Sequence, residues 1–456
     1  MIVMKFGGSS LESAEAIGRV ASIVASRLAQ RPVVVVSAMG KTTNRLLASA
    51  SAAVAGDKAG ALSELDQLEQ YTLAEGGSLG GQVESHFEDL RALVNGLAAL
   101  GELTPRSIDA ISAFGERLSS LIVADLFRRQ GIDAVQMDAR QLIVTDDRHS
   151  QAAPLYAETN ERLTSRLAPV AGHQVVVIGG FIGATRKGVT STLGRGGSDF
   201  SAAIVGAAID AEEIQIWTDV DGMLTCDPRL VPGGHRVRLI SFAEAAELAY
   251  FGAKVLHPST LLPAIQKKIP VLILNSRRPD VEGTRIVAEA VPASNVFKSI
   301  ACKSGITLVH IRSTRMLMAH GFLRRIFEVF DRFETPVDLI ATSEVSVSLT
   351  IDSVARLEEV TAELRQFADV TVQPDQAILS LVGGNIAATR GIAARVFGAL
   401  NGINIRLISQ GASDLNLSLV VAGADLRHAA ESLHNEFFSS LDPAVFDPAP
   451  AGACIQ

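Results

Sequence analysis

The sequence has few of the residues from which disulfide frameworks and metal centres are built. Among its 456 residues there are three cysteines, Cys226, Cys302 and Cys454, and their spacing is not that of a metal site. The nine histidines show no paired metal spacing, and no serine lies in a Gly-x-Ser-x-Gly motif. These absences argue against metalloenzymes and hydrolases.

Long apolar runs and tracts of one charge are also missing. Hydrophobic residues make up 48% of the chain, but every apolar run is interrupted well before the roughly 18 residues that a membrane span needs. The net charge of -8 is dispersed, so nucleic acid is not an expected partner. The start "MIVMKFGG" lacks the apolar stretch of a signal peptide, and we expect a cytoplasmic location.

The stretch "VVVVSAMGKTTN", from Val33 to Asn44, resembles the start of a nucleotide-binding P-loop but lacks one essential residue. A P-loop needs a glycine five residues before its Gly-Lys, and counting back from Gly40 gives Val35. A β-branched residue inside a strand cannot replace that glycine. If the chain binds ATP, another phosphate-binding element is required.

The first part of the chain alternates short apolar segments with longer amphipathic ones. Strands are predicted at "MIVMKF", "PVVVVSA", "QVVVIGGF", "EIQIWTDV" and "IPVLILN", with helical patterns such as "DFSAAIVGAAIDA" nearby. This alternation predicts an α/β fold with a mainly parallel sheet flanked by helices, in which ligands bind at the carboxyl ends of the strands. The polar connection "AVPASNVFKS" ends this region, so we predict a first domain over residues 1–290.

The remainder contains an internal repeat. Gly321 and Gly391 each open a helix with phenylalanine at a matching position, Phe327 or Phe397, followed by a strand, a polar turn and an alternating strand. With the apolar strand before each helix, the unit is typical of a ferredoxin-like fold. We predict two such domains, at 300–376 and 377–445, serving as a small-molecule sensor or dimerisation module, or else as a duplicated structural domain.

Two glycine-rich turns are candidates for anion binding. In "KFGGSS", Lys5 ends a predicted strand and the glycines precede a helix, an arrangement suited to phosphate, although such turns also occur for steric reasons. In "TLGRGGSDFSAA", Arg195 lies between glycines, and Ser198-Asp199 is expected to cap the next helix. Helix capping alone would explain Asp199. A packing role does not explain Arg195, because packing would not require conformationally flexible glycines on both sides of it.

Three further segments carry charged candidates. The loop in "WTDVDGMLTCDPR" holds Asp219 and Arg229, and since the terminal glutamate of an EF-hand is missing, it fits a nucleotide-facing loop better than a calcium site. Lys254 lies in the apolar segment "FGAKVLHP", where a solvated lysine would be unremarkable. Glu116 in "SAFGERLSS" is expected at the start of an amphipathic helix, where a surface glutamate is the default.

Taken together, "KFGGSS", "FGERLSS", "GFIGATRKGVTSTLGRGGSDFSAA", "WTDVDGMLTCDPR", "FAEAAELAYFGAKVLHPSTLLPA" and "SEVSVSLTID" resemble the aspartate kinases, and most closely their lysine-sensitive monofunctional form. The match runs in order over nearly the whole chain. The resemblance implies an amino-acid-kinase fold followed by two ferredoxin-like ACT domains. It also implies phosphorylation of the side-chain carboxylate of L-aspartate by ATP with Mg²⁺, giving 4-phospho-L-aspartate, the first step in making the aspartate-family amino acids lysine, threonine and methionine.

The resemblance also implies roles for individual positions. The catalytic set is Lys5, Gly7, Gly8 and Ser9, which would meet the transferring phosphoryl group, and Asp199, which would orient the substrate. The aspartate-binding set is Ser37, Thr43, Glu116, Arg195 and Asp199, with Glu116 close to the substrate ammonium. The ATP-binding set is Lys5, Thr218, Asp219, Leu224, Arg229 and Lys254. The effector set is Met316, Ala319, Phe322, Leu323, Val337, Asp338, Ser343 and Glu344.

The chain departs from the family pattern at the nucleotide and effector positions. Leu224 replaces a tyrosine beside the adenine, which would weaken ATP binding by about 1 kcal/mol. Ala319 of the effector set and Pro336, beside Val337, replace serines, while Asp338 and Glu344 keep carboxylates suited to a lysine ammonium. Lysine is therefore the expected effector, with threonine, another amino acid or no effector as alternatives.

Two other functions compete with this one. An amino-acid kinase acting on glutamate is disfavoured by "FGAKVLHP" and the paired ACT repeat, and a catalytically silent sensor is disfavoured by the intact charged residues. The expected partners are aspartate, ATP, an amino-acid effector and at least one further copy of the chain, joined through the ACT domains. Neither nucleic acid nor a membrane is expected.

Overall fold

A computed structural model describes residues 1–76, 79–251, 258–289, 293–313 and 320–450. The chain divides into two compact units. The first comprises Met1–Gly222 and Leu256–Glu289, and the second comprises Met223–Val255 and Ala290–Gln456. The boundary near residue 290 between a catalytic and a regulatory domain stays a prediction.

The strands of the described residues are short, with two exceptions in the second unit. In chain order they are β1 (Ile2–Phe6), β2 (Pro32–Val36), β3 (Ala134–Met137), β4 (Val144–Thr145), β5 (Val175–Gly179), β6 (Ile182–Thr185), β7 (Thr190–Thr192), β8 (Glu213–Thr218), β9 (His235–Val237), β10 (Leu239–Ser241), β11 (Val271–Asn275), β12 (Thr284–Val287), β13 (Phe297–Arg312), β14 (Ile340–Thr342), β15 (Ser346–Ile351), β16 (Asp369–Gly383), β17 (Leu407–Gln410), β18 (Asn416–Ala422) and β19 (Phe446–Pro450).

The α-helices range from a single turn to seven turns. In chain order they are α1 (Ala14–Ala25), α2 (Thr42–Val54), α3 (Lys58–Gly76), α4 (Gly80–Leu100), α5 (Pro105–Arg129), α6 (Tyr156–Arg162), α7 (Ala168–Ala171), α8 (Gly197–Ala208), α9 (Phe242–Tyr250), α10 (Leu262–Gln266), α11 (Phe322–Arg332), α12 (Leu357–Leu364), α13 (Ile392–Ala399) and α14 (Leu426–Phe437). Single 3₁₀ turns occur at Gly8–Ser10, Leu28–Gln30, Ala139–Gln141, Pro258–Leu261 and Gly423–Asp425, and a π-helical turn at Leu163–Leu167 joins α6 to α7. No helix among the described residues is long and apolar enough to cross a membrane.

Helix starts follow local capping chemistry. The hydroxyl of Ser13 accepts a hydrogen bond from the amide of Ala16 at the start of α1, and Thr104 caps α5 in the same way, with Pro105 as the first helical residue. Ser241 and Glu244 form a capping box at the start of α9. These hydrogen bonds satisfy amides that have no partner within their own helix.

A mainly parallel sheet forms the centre of the first unit, as the sequence predicts. Its strands there run in the order β12, β11, β8, β1, β2, β5, β3, and only β12 is antiparallel to its neighbour. The carboxyl ends are level, since Phe6 of β1 lies beside Val36 of β2 and Trp217 of β8. Strand β2 is fully buried, and the rings of Phe6 and Trp217 stack with centroids 5.9 Å apart.

The second unit contains a six-stranded antiparallel sheet with the strand order β14, β15, β13, β16, β18, β17. The order strand, helix, two strands, helix occurs twice, from β13 to α12 and from β16 to α14, which confirms the predicted repeat. The first half of β13 pairs with the second half of β16, and the second half of β13 with the first half of β16. The predicted division between residues 376 and 377 therefore lies inside a strand that both repeats share.

Candidate active site

A cavity of about 450 Å³ lies in the first unit. It is bounded by Lys5 of β1, by residues that follow β2 and β5, by helices α2, α5 and α8, and by the end of β7 and the segment after it. Its lining residues are Lys5, Ser37, Thr43, Leu47, Ile108, Ser112, Glu116, Ser150, Phe181, Thr192, Gly194, Arg195, Gly196, Gly197, Ser198 and Asp199. Six of the sequence-predicted positions therefore come together here, namely Lys5, Ser37, Thr43, Glu116, Arg195 and Asp199.

The turn after β1 brings two loops into close contact. The amide of Gly7 donates to the carbonyl of Trp217 at 3.2 Å, and the amide of Gly40 donates to the carbonyl of Gly8 at 3.0 Å. A Cβ atom at Gly8 would lie only 2.9 Å from the carbonyl oxygens of Ala38 and Gly40. Glycine is therefore required at position 8 for the "KFGGSS" turn to lie against the turn after β2.

Lys5 forms an ion pair across the cavity wall. Its Nζ lies 2.7 Å from Oδ1 of Asp199, and the two side chains are 12% and 14% exposed. The prediction that Ser198 and Asp199 cap α8 is wrong, because the N-cap is Gly196 and no side chain caps it. Asp199 instead lies in the first turn of α8, where the helix dipole favours a carboxylate, and its partner is the catalytic lysine candidate.

Glu116 is a buried carboxylate in the middle of α5. The prediction of a surface glutamate at a helix start is wrong, because the residue is 4% exposed and eleven residues into the helix. Its Oε1 accepts a hydrogen bond from the amide of Ala38 at 3.1 Å, and its Oε2 has no partner among the described residues. Burial raises the pKa of Glu116 to about 8, against the opposing effects of backbone hydrogen bonds and the Lys5 charge.

The residue before Glu116 explains how α5 approaches the turn after β2. A Cβ atom at Gly115 would lie 2.7 Å from Cβ of Ala38 and 3.3 Å from Oγ1 of Thr43. Ser119, one turn further along α5, donates from its hydroxyl to the carbonyl of Ser37 at 2.7 Å. The substrate-side candidates Ser37 and Thr43 are therefore held directly against the helix that carries Glu116.

Arg195 contributes the opposite charge to the cavity. It lies between Gly194 and Gly196, whose φ angles of 78° and 69° are left-handed and explain why glycine flanks the arginine. Its side chain is exposed and has no ion-pair or hydrogen-bond partner among the described residues. The cavity thus combines a guanidinium and a buried carboxyl group, neither of which has an ion-pair partner among the described residues.

Several cavity residues were not predicted from the sequence. Phe181 adopts a left-handed φ of 66°, and its amide donates to the hydroxyl of Ser201 at 2.9 Å. The glycine pair before it, in "GGF", is the local signal that could have indicated an unusual turn. Because a non-glycine residue with positive φ is uncommon, its position at the cavity wall is consistent with a functional constraint.

A fully buried carboxylate, Asp109, organises a second part of the wall. Its oxygens accept hydrogen bonds from the hydroxyl of Thr192 at 2.5 Å and from the amide of Ser150 at 3.0 Å, and Nδ1 of His149 lies 2.7 Å away. Thr192 and Ser150 line the cavity, whereas Asp109 lies behind it. No sequence motif indicates this network, because Asp109 and Thr192 are 83 residues apart.

The nucleotide candidates fall in both units. In the first unit, Thr218 is the last residue of β8, its hydroxyl donates to Asp219 at 3.2 Å, and Asp219 is exposed. In the second unit, the carbonyl of Leu224 accepts a hydrogen bond from Ser299 at 2.6 Å. Lys254 lies outside the described residues.

Arg229 differs from Arg195 in having a carboxylate partner. Its guanidinium forms hydrogen bonds with both carboxylate oxygens of Asp227, the shortest at 2.6 Å, although the side chain is 81% exposed. Its carbonyl accepts a hydrogen bond from Arg427 at 2.7 Å. A nucleotide phosphate would therefore have to share or replace the Asp227 contact.

The effector candidates lie in the second unit. Asp338 is already paired, since one of its oxygens lies 2.7 Å from Nζ of Lys303, which also lies 3.0 Å from Asp352. The second oxygen of Asp338 is buried without a partner among the described residues, and burial raises the pKa of Asp338. Asp338, the predicted partner of an effector ammonium, is therefore already paired with a lysine of the same chain.

The other effector positions differ in exposure. Phe322 is a core residue, 6% exposed, with its ring against Phe367, so its side chain is not available to a ligand. Leu323 and Glu344 are exposed, and Val337 is half-buried. The hydroxyl of Ser343 lies 2.7 Å from that of Ser346. Met316 and Ala319 lie outside the described residues.

The comparisons with known proteins agree with this fold. A model of the amino acid kinase family matches residues 1–275, and a model of the ACT domain matches residues 379–437. The parallel sheet, the glycine turn after its first strand and the repeated βαββα unit therefore define an amino acid kinase with ACT domains.

Individual relatives give a narrower family. The chain is 39% identical to aspartokinase 3, chloroplastic, from Arabidopsis thaliana over 99% of this chain and 84% of that protein. It is 36% identical to lysine-sensitive aspartokinase 3 from Escherichia coli over 96% of this chain and 99% of that protein. The chain belongs to the aspartokinase family.

Solved structures of the Escherichia coli protein, aspartokinase III, extend this likeness to three dimensions. Its complex with lysine and aspartate, a T-state, matches with a TM-score of 0.84, covering 96% of this chain and 99% of that one at 36% identity. Its complex with aspartate and ADP, an R-state, matches with a TM-score of 0.82 at the same identity, covering 96% and 100%. The enzyme is a kinase, which implies ATP as a substrate.

Proposed function

We propose that the chain transfers the γ-phosphoryl group of ATP to the side-chain carboxylate of L-aspartate, the first step in making the aspartate-family amino acids. A carboxylate oxygen forms a bond to the γ-phosphorus, the bond from that phosphorus to the β,γ-bridging oxygen breaks, and ADP leaves with the electron pair. The products are 4-phospho-L-aspartate and ADP. The observation that carries the proposal is the single cavity that combines Lys5, Glu116 and Arg195.

The two cavity side chains without an ion-pair partner, Glu116 and Arg195, suit the ammonium and the α-carboxylate of an amino acid. Glu116 is buried and has an oxygen without a partner among the described residues, so a substrate ammonium would supply the missing hydrogen bond. Arg195 would bind the α-carboxylate, with Ser37 and Thr43 as further polar contacts. Held at these two ends, the substrate would direct its remaining carboxylate toward the phosphoryl donor.

The phosphoryl end of the site is served by Lys5 and the turn that follows it. A substrate carboxylate is ionised at pH 7, so the reaction needs no general base; the obstacle is bringing one anion against another. Lys5, held by Asp199, would neutralise the transferring group, and Gly7, Gly8 and Ser9 would offer backbone and hydroxyl hydrogen bonds. Thr218, Asp219, Leu224, Arg229 and Lys254 complete the proposal on the nucleotide side.

Magnesium would enter with the nucleotide. The described residues contain no group of three carboxylate, histidine or cysteine side chains close enough to hold a metal ion. That is compatible with Mg²⁺, which commonly keeps several waters and binds through substrate phosphates with only one or two protein carboxylates. When bound, it would neutralise phosphate charge, and Asp219, exposed at the end of β8, is the described carboxylate that we assign to that side.

The reaction can be tested by trapping the acyl phosphate with hydroxylamine. Purified full-length protein is given Mg²⁺ and ATP with L-aspartate or L-glutamate, and the hydroxamate is measured. Product from aspartate alone is the expected result. Product from glutamate alone would transfer the assignment to a glutamate kinase, and product from neither acid would favour a catalytically silent sensor.

Regulation and assembly form the second part of the proposal. We propose an amino-acid effector, with lysine expected, at Asp338 and its neighbours. Five large apolar side chains of the ACT repeats are 36–46% exposed, which supports a dimer formed through them. They are Leu323, Phe327, Ile340, Phe397 and Ile408. Sedimentation of the full chain and activity over millimolar lysine test these points, while the cytoplasmic location stays a prediction.

A further inference from the structure

A second cavity, of about 250 Å³, lies in the first unit and shares no lining residue with the candidate active site. It lies between helices α4 and α5 and the segment that follows β3. Its polar lining side chains are His86, Arg117, Ser120, Gln136, Asp138 and Arg140. Two guanidinium groups thus face one carboxylate, and none of these residues has a role in the proposed reaction.

Only one of the two arginines is paired. Arg140 forms hydrogen bonds with both carboxylate oxygens of Asp138, at 2.6 and 3.0 Å. The guanidinium of Arg117 has no hydrogen-bond or ion-pair partner among the described residues, and its central carbon lies 4.3 Å from the centroid of the Phe114 ring. Burial lowers the pKa of Arg117, and the charge of Arg140 lowers it further, against the weaker effects of Asp138 and the exposed Asp89.

A half-buried guanidinium without a counter-ion, beside a second guanidinium, is unfavourable in the ligand-free protein. An anion between the two arginines would remove both the like-charge repulsion and the unsatisfied donors. Stacking on Phe114 uses one face of the guanidinium and leaves its N–H groups free for in-plane hydrogen bonds.

Two further polar side chains, Gln136 and His86, complete the cavity. Gln136 donates from its amide to the hydroxyl of Ser120 at 3.4 Å, a long contact that a ligand oxygen could replace. His86 uses Nδ1 with the carbonyl of Gln82 at 2.8 Å, and its ring packs edge-on against Phe114. Its other ring nitrogen becomes a donor when the ring is protonated, which a bound anion would favour.

We infer that this cavity is a second anion site, which takes a small oxyanion, either a phosphate or a carboxylate, between Arg117 and Arg140. Arg117 supplies a positive charge that has no counter-ion. Arg140 supplies the N–H groups that do not donate to Asp138. The site does not depend on the proposed reaction, because its residues and its cavity are separate from those around Lys5.

The test compares thermal unfolding of the full chain in inorganic phosphate and in malonate at matched ionic strength. The proteins are the parent, Arg117→Gln and the control Arg148→Gln, whose side chain is 84% exposed. General effects of the salts and binding at the active site are common to all three. The stabilisation that arises at the second cavity is therefore the difference in anion-induced rise of unfolding temperature between Arg117→Gln and the other two proteins.

The expected result is that Arg117→Gln loses part of the anion-induced rise in unfolding temperature and binds phosphate or malonate at this site about tenfold more weakly or worse. Arg148→Gln should behave as the parent does. Without added anion, Arg117→Gln should unfold at the same temperature as the parent or higher, because a half-buried unpaired charge is gone. If the arginine served only for packing, the substitution would lower the unfolding temperature. An equal response of all three proteins to both anions would overturn the inference.

Crystals of the parent soaked in selenate provide an independent test that does not need the variant. An anomalous peak between Arg117 and Arg140 supports the site. No peak there, at a selenate concentration that gives one beside Arg195, overturns it. Preference for phosphate over malonate, or the reverse, in the unfolding experiment identifies which oxyanion the site takes.

Discussion

The ammonium of Lys5 lies 2.7 Å from Oδ1 of Asp199, and both side chains are largely shielded from water. Lys5 lies near the end of the first strand and Asp199 in the first turn of α8, 194 residues later in the sequence. The ion pair therefore joins the two glycine-rich turns. A partner that is buried to the same degree holds the lysine in one orientation before a nucleotide binds, which is what electrostatic preorganisation requires.

Replacing Lys5 with alanine should lower turnover by roughly 10²-fold or more, about 3 kcal/mol of transition-state stabilisation. The loss should appear in kcat, because the charge on the transferring group changes most in the transition state. The exposed Lys187→Ala is the matched control and should retain the parent rate. Near-normal turnover of Lys5→Ala in the hydroxamate assay would contradict the assignment.

The pH dependence of aspartate binding should report Glu116. In the free enzyme its pKa is raised to about 8, so near neutral pH the group is mostly protonated and must lose its proton to bind an ammonium. KM for aspartate should therefore fall as pH rises from 6 toward 8 and level off above, by up to about tenfold per pH unit. Glu116→Gln should raise KM and remove this dependence; a variant with an unchanged pH profile would exclude Glu116 as the ammonium partner.

The pH dependence of folding stability should also report Glu116. Raising the pH should strengthen aspartate binding but lower the stability that this group contributes. Because the folded pKa of about 8 lies above the ordinary 4.5, the folded protein binds this proton more tightly than the unfolded chain does. The stabilising contribution is complete below pH 4.5 and is lost as pH rises toward 8. Relative to the parent, Glu116→Gln should gain stability between these two values, measured as the difference in unfolding temperature at each pH without substrate. A constant difference would contradict the raised pKa.

The parts of the site that could be predicted from sequence are those set by neighbours along the chain. Lys5 with its glycines, and Arg195 between glycines, are local patterns whose backbone requirements are visible in the residues themselves. The burial of Glu116 is different, because it depends on Gly115 meeting Ala38 across a long separation in the chain. The prediction of a surface role for Glu116 was wrong, because the position of a residue in a helix does not show which other elements pack against that side of the helix.

Contacts between residues distant in sequence also explain the other features that were not predicted. The Lys5 partnership of Asp199 competes with the helix-capping role that local sequence favours, and the tertiary contact prevails. For the fold, the alternation of strands and helices and the repeat were sufficient to predict both architectures. The length of β16 could not be predicted, because its two halves pair with opposite halves of β13 and its second half also pairs with β18. Only this pairing defines a strand that crosses from one repeat into the next.

The pairing of Asp338 with Lys303 should weaken inhibition by lysine. An effector ammonium near Asp338 would meet Nζ of Lys303 already 2.7 Å from that carboxylate, and two cations would then share one anion. Lys303→Met keeps the aliphatic stem and removes the charge, so it should lower the lysine concentration for half-inhibition by about tenfold. The exposed Lys268→Met, in the first unit, is the control. Equal inhibition of parent and Lys303→Met would exclude competition at Asp338.

Gly115→Ala should impair the site through the backbone that supports Glu116. Alanine is the better helix former by about 1 kcal/mol, so in an open position the change would stabilise α5. Here the added Cβ would lie 2.7 Å from Cβ of Ala38, whose amide donates to Glu116, and 3.3 Å from Oγ1 of Thr43. To relieve these close contacts, α5 must move away from the turn after β2. That movement would displace Glu116 relative to Ser37 and Thr43.

We therefore expect Gly115→Ala to lower kcat/KM for aspartate by about tenfold or more, since a misplacement of about 1 Å has effects of that order. Gly96→Ala is the matched control, because Gly96 also lies inside a helix and its added Cβ meets nothing within 4 Å. That variant should keep the parent kinetics and unfold at a slightly higher temperature. If Gly115→Ala gave the same result as Gly96→Ala, the close approach of α5 to the turn after β2 would not be a requirement of the active site.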